Sequence, residues 1–130
     1  MRLLLDTHLL IWAVTRPERL QPRLQDAILS TRNSVLISAA SAWEIAIKRA
    51  LGRLAFPLER FDAVLAAAGF DHLPMTATHA VEAGGLPRHH ADPFDRMLVA
   101  QARVDDLVLA SDDPLVVAYE VRLFGRDGAG

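Results

Sequence analysis

Cysteine is missing altogether from the 130 residues, which excludes disulfides and thiolate metal sites together, so any metal chemistry must use oxygen or imidazole ligands. Lysine is nearly missing as well: Lys48 stands against thirteen arginines, and the 14 basic residues face 16 acidic ones for a net charge of −2. That balance supplies no global field to gather nucleic acid indiscriminately and argues against a simple nucleic-acid coat. Planar guanidinium forks still suit a local rim that meets phosphates or carboxylates. No apolar run reaches the about 18 to 20 residues of a membrane span, and Met1-Arg2 leads into a short apolar segment with no signal-peptide cleavage pattern. The expectation is a soluble, cytoplasmic protein with no membrane partner. Internal repeats and low-complexity tracts are absent too. What the chain has in quantity is apolar residues, 52% of the total, enough to bury a substantial core at the size of one ordinary domain. One domain over residues 1–130 is expected, with the terminal GRDGAG, from 125 onward, read as a frayed tail.

Arg2 to Leu5 and Ser34 to Ser38 (SVLIS) have the length and bounding residues of buried strands. Phe70 to Leu73, Leu107 to Ala110 and Val121 to Phe124 are weaker strand candidates. Between them, apolar residues recur at three and four residue spacing over Pro22 to Arg32, Ala42 to Leu51, Leu58 to Ala68, Thr76 to Ala83 and Pro93 to Val104, predicting helices. Gly52, Gly69 and Gly84-Gly85 punctuate helix ends; the segment GGLPRHHA, Gly84 to Ala91, reads as the longest connection. Alternation of strand and helix from end to end predicts an α/β fold, an α/β/α sandwich with a mainly parallel central sheet and helices on both faces.

Sites in such sheets form beyond the carboxyl ends of the strands. The run LLLDTHLLIW, Leu3 to Trp12, sets Asp6 at the first such junction, inside an almost unbroken apolar stretch where an unpartnered carboxylate costs several kcal/mol. Glu44 follows the second strand, Asp92 and Asp95 open a helix, and Asp113 follows the strand ending near Ala110. Each acid also has a structural explanation. Ser41 to Glu44 reads as a capping box, or Glu44 pairs with Lys48 four residues on. Asp92-Pro93 and Asp113-Pro114 read as cap-plus-proline helix starts, and Asp6 as the cap of a helix beginning at Thr7. Caps alone would not favour crowding: two carboxylates about 4 Å apart repel by about 4 kcal/mol at an effective dielectric near 20. A divalent cation removes that repulsion, and Mg²⁺ or Mn²⁺ prefers oxygen ligands.

Taken in order, LLLDTHLLIW, ISAASAWEIAIK, HHADPFDRMLVAQA and LASDDPLVVAYEV resemble a PIN-domain ribonuclease of the VapC toxin type, over nearly the whole chain. The resemblance implies a PIN-like fold and a Mg²⁺-dependent endoribonuclease, with Mn²⁺ as the alternative metal, whose acids are Asp6, Glu44, Asp95 and Asp113. It implies Asp113 rather than Asp112 in the Ser-x-Asp element, Asp92 as a helix cap, and Ser111 as a hydrogen-bonding support. It also implies a homodimer, an RNA substrate and a cognate antitoxin protein whose tail lies over the active-site groove. The apolar side of Leu58 to Ala68 and exposed parts of the first helices are the expected contact surfaces.

The chemistry expected is metal-assisted phosphodiester hydrolysis. Arg96 is read as structural, paired with an acid on a neighbouring turn rather than reaching a phosphate. His89-His90 is read as solvent-facing or hydrogen-bonded scaffolding rather than as a general base, and His8 as pointing to the helix face adjacent to Asp6. Trp12 and Trp43, at helical spacing with Leu and Ile, are read as core rather than as platforms for bases. A phospho-Asp protein would need an Asp-x-Asp pair or a lysine late in the chain, and LDTHL and Lys48 offer neither. The alternative that keeps the fold is a catalytically inactive PIN-like module that binds RNA or protein.

Overall fold

The computed structural model describes residues 1–125, and most of the tail expected to fray, residues 126–130, lies outside them. Four strands, β1 (Arg2–Leu5), β2 (Ser34–Ser38), β3 (Phe70–Leu73) and β4 (Val108–Ala110), form one parallel sheet in the order β3-β2-β1-β4. Six helices accompany them: α1 (Thr7–Thr15), α2 (Pro22–Leu29), α3 (Ala39–Ala50), α4 (Phe61–Ala68), α5 (Ala77–Gly85) and α6 (Pro93–Val104). The α/β fold with a parallel sheet is the one that the alternating pattern predicts. No helix among the described residues is long and apolar enough to cross a membrane.

Strand periodicity divides the core. Leu3, Leu5, Val35, Ile37, Val108 and Ala110 face a cluster completed by Leu10, Leu24, Ile45 and Leu65, while Leu4 and Leu109 face a second cluster with Leu98, Val99 and Val116. Successive side chains point to opposite faces, and both faces are covered, which is why these strands read as unbroken apolar runs.

Strand order determines where a cleft can open. From β1 the chain proceeds to β2 and β3 on one side, then returns to place β4 on the other side of β1. Loops after β1 and β4 therefore diverge at this switch point and leave a crevice above their carboxyl ends. Asp6 continues the ladder there, its backbone N–H donating to Ala110 O at 2.9 Å.

Several boundaries differ from those expected. Helix α2 stops at Leu29, and α3 begins at Ala39 because Ser38, at the end of β2, caps it by accepting from the Ala40 amide at 2.9 Å. Ser41 is thus an interior residue, fully buried and accepting from Thr7 Oγ1 at 2.9 Å, and the capping box proposed for Ser41 and Glu44 does not form. Leu58–Arg60 is a separate 3₁₀ turn ahead of α4, and Gly69, at φ 76°, closes α4 in the left-handed conformation glycine tolerates best. Val121 to Phe124 is not a strand; it pairs with the sheet only through one parallel bridge, Leu109 with Leu123. A run this short at the sheet edge has backbone bonds for one register position only, Leu109 N to Arg122 O and Phe124 N to Leu109 O.

Candidate functional site

The acids reach one cleft because all but Glu44 are fixed by the start of a helix or turn. Asp6 caps α1, its Oδ1 accepting from the Leu9 amide at 2.8 Å, and is 4% exposed. Asp92 caps α6 by accepting from Phe94 N and Asp95 N, with Pro93 in the first turn as expected. Asp113 caps the 3₁₀ turn Pro114–Ala118 through the Leu115 amide at 2.9 Å. Glu44 enters from the second turn of α3. Asp6, Glu44, Asp92, Asp95, Asp112 and Asp113 together line a cleft of about 250 Å³, with Lys48 among its walls. The four acids singled out in the sequence thus lie on one depression, with Asp92 and Asp112 beside them.

Charge is held there at a cost. Burial, opposed by the Leu9 amide and the Ser111 hydroxyl, pushes the Asp6 carboxyl from 3.8 up to about 6. Burial and then the charges of Asp92 and Asp6 push Asp95 up to about 7, against the pull of His90. Burial also works against ionised Asp113, but the Leu115 amide and His90 outweigh it and hold this carboxyl below its usual value. Glu44 is 5% exposed; its Oε2 accepts from Lys48 Nζ at 2.6 Å, whereas Oε1 is buried with no hydrogen-bond partner among the described residues. An orphaned buried carboxylate oxygen costs about 1 to 3 kcal/mol or more. A donor set made of carboxylates, two of them resisting ionisation and one with a bare oxygen, fits a hard divalent cation. Among the described residues, ligand-capable atoms of His90, Asp95 and Asp113 all lie within 4.8 Å of one another.

Two side chains, His8 and Trp43, stand differently from their reading in the sequence, while His90 takes one of the two places read for it and Trp12 the core place expected. His90, read as solvent-facing or hydrogen-bonded scaffolding, is the second: it lies against two of the acids, with Nε2 2.9 Å from Asp95 Oδ2 and 2.8 Å from Asp113 Oδ2. No local pattern announced this, because the contact to Asp113 spans 23 positions and depends on the placement of β4. His8 lines the cleft and pairs with Asp112 at 3.0 Å. Trp12 packs partly buried against the core with Arg19 over its ring, but Trp43 is 59% exposed and meets Phe94 edge-on at 5.3 Å. Its neighbours Glu44 and Ile45 take the inward face of α3, which turns Trp43 outward.

Arg96 is structural, yet it pairs with no acid among the described residues. Its guanidinium donates to the carbonyls of Ala83, Leu86, Pro87 and His90 and approaches Tyr119 Oη at 3.3 Å. Tyr119 Oη in turn donates to Pro87 O at 2.8 Å. The connection from α5 to α6 is thereby folded around one cation. Arg96→Ala is expected to lower stability by about 2 to 3 kcal/mol, measured by urea unfolding, because several part-buried carbonyls lose a charged donor. Arg96→Lys should recover little, since an ammonium cannot span the fork's acceptors.

Comparison with known proteins places this geometry. The model of the PIN domain family matches residues 3–119. Among solved structures, a chain of FitAcB from Neisseria gonorrhoeae aligns with TM-score 0.64 and 23% identity, over 94% of this chain and 96% of that one. A chain of VapBC2 from Rickettsia felis, bound to a DNA fragment from its promoter, aligns with TM-score 0.63 and 14% identity over 87% and 88%. A toxin-antitoxin complex from Klebsiella pneumoniae aligns with TM-score 0.62 and 16% identity over 93% and 95%. No curated protein matches the sequence. With the family model covering both the sheet and all four acidic junctions, the chain belongs to the PIN domain family.

Proposed function

We propose that the chain, as one PIN-like domain over residues 1–130, is a divalent-cation-dependent endoribonuclease that acts as the VapC-type toxin of a toxin-antitoxin pair. The observation that carries this is the convergence of Asp6, Glu44, Asp95 and Asp113, from four separate junctions, on one cleft that leaves Glu44 Oε1 unsatisfied. These four residues would hold Mg²⁺, or Mn²⁺ in its place. When bound, such an ion supplies positive charge at a phosphodiester and acidity to water.

The chain's own contribution is placement. Asp6 and Asp113 are held by cap hydrogen bonds, which fix both carboxylates at the cleft. Asp95 lies in the first turn of α6, where the partial positive charge of the helix N-terminus favours an anion. Ser111 supports both neighbours: it hydrogen-bonds Asp6 and accepts from the Asp113 amide at 3.1 Å. Lys48 keeps Glu44 turned along α3 and stands at the wall of the cleft, where an RNA phosphate would approach.

Partner proteins belong to the same proposal. The structural neighbours were crystallised as toxin-antitoxin or Fit complexes, and this chain exposes Trp43, Ile47 and Leu51 at spacings of four along and just past α3. An apolar stripe of this kind suits a homodimer contact or an antitoxin segment lying near the groove. Helix α4 by contrast buries Leu65 in the core and leaves mainly alanines outside.

The test is RNA cleavage by the purified chain, freed of any partner. Cleavage is expected with Mg²⁺ or Mn²⁺ and should cease with excess EDTA; cleavage indifferent to chelation would reject the metal chemistry. Retained RNA binding without cleavage under any divalent cation would favour the inactive binding module. Growth arrest on expression, relieved by co-expression of a neighbouring reading frame, tests the toxin assignment separately.

A further inference from the structure

Between Asp95 and Asp113 stands a side chain to which the four-acid arrangement gives no task. The His90 ring is 11% exposed, and its Nε2 is within hydrogen-bond reach of one oxygen of each acid. Its other nitrogen, Nδ1, accepts from the Asp92 amide at 3.3 Å. A ring nitrogen that accepts carries no proton, so the proton of this imidazole is on Nε2, aimed between the two carboxylates. A protonated nitrogen has no lone pair to give a metal. In this arrangement His90 is a donor to the acids, not a ligand beside them.

The main chain of His90 is fixed with equal care. Its amide donates to Tyr119 Oη at 3.0 Å, and its carbonyl accepts from Arg96 at 3.4 Å. The cluster of Arg96, Tyr119 and the connection between α5 and α6 therefore ends at one imidazole set against two of the acids that line the cleft. Asp95 and Asp113 come from different elements, α6 and the turn after β4. A shared N–H ties the two carboxyls to one fixed position.

We propose that His90 is a positioning residue of the cation site, its Nε2–H holding the Asp95 and Asp113 carboxylates on one shared donor so that both face the same point in the cleft. This rests on the metal-site reading given under Proposed function. Hydrogen-bond donors that orient ligating groups typically contribute about 10- to 100-fold in metal affinity.

The experiment is calorimetric titration of the partner-free chain with Mn²⁺, comparing wild type, His90→Asn and His90→Gln, with thermal unfolding in EDTA to show that each variant folds. Asparagine keeps an acceptor for the Asp92 amide but is too short to reach the acids; glutamine carries an amide N–H out to the Nε2 position. Mn²⁺ affinity is expected to fall by about tenfold or more in His90→Asn and to return most of the way in His90→Gln. Unchanged affinity in His90→Asn would overturn the positioning role. So would equal weakness in both variants, the pattern expected of a direct imidazole ligand. A wild-type chain that takes up no Mn²⁺ would instead remove the metal site itself, an outcome distinct from either.

Discussion

Asp6→Asn is expected to reduce Mg²⁺-dependent RNA cleavage by about 10²- to 10³-fold or more while making the metal-free protein more stable. The two effects have one cause. Asp6 is buried at the end of β1, and holding its charge there pushes the carboxyl from 3.8 up to about 6. Asparagine has the same shape, caps a helix as well as aspartate does, and carries no charge to desolvate. Moving from 3.8 to about 6 corresponds to about 3 kcal/mol above neutral pH, an upper figure for what the substitution returns in the absence of metal. Urea unfolding in EDTA at pH 7.5, beside cleavage rates in saturating Mg²⁺, measures both. Wild-type cleavage by Asp6→Asn would remove Asp6 from the site, and a loss of metal-free stability would show that the carboxylate is a structural asset.

The second large effect is a reversal of the usual dependence of stability on pH. Asp6 and Asp95 have folded-state values raised to about 6 and about 7 from 3.8. Below about pH 4 both are protonated in folded and unfolded chains alike, and their contribution is fully present. As pH rises, the unfolded chain releases these protons first, and stability falls until the folded-state carboxyls have also ionised, near pH 7. Asp113, held below its usual value, acts in the opposite sense: its contribution is present above about pH 4 and lost as pH falls further. The metal-free wild type should therefore lose stability relative to Asp6→Asn between about pH 4 and 6, the interval set by Asp6, since Asp95 is common to both. Mg²⁺ should restore it at pH 7.5, by about 2.7 kcal/mol at a concentration 100 times its dissociation constant, and have little effect at pH 4.5, where the carboxyls hold protons. Thermal midpoints with and without Mg²⁺ at the two pH values decide the matter; equal stabilisation at both would refute carboxylate binding.

Features governed by a few neighbouring residues were legible before any tertiary structure. Asp6, Asp92 and Asp113 each cap the element that follows, because the cap is a bond to an amide two or three positions on. The Glu44–Lys48 pair, four apart on α3, was open in the same way, as one of two local options. Choosing between Ser38 and Ser41 as the cap of α3 was not local. Both are serines after an apolar run, and the start of the helix follows from where β2 stops pairing with β3 at Leu73. Trp43 shows the same limit, since helical spacing places it on a face without saying which face the sheet covers.

By itself the sequence determined the alternation of strand and helix, the two-sided burial of β1, β2 and β4, and the presence of an acid at each of four junctions, all consequences of periodicity and short-range hydrogen bonding. Only the tertiary structure decided that β4 lies beside β1, opposite β2. That order brings Asp113 to His90 and Asp95 and turns separate helix caps into neighbours competing for charge. Contacts across many positions depend on strand order and packing, and chain spacing carries no record of them.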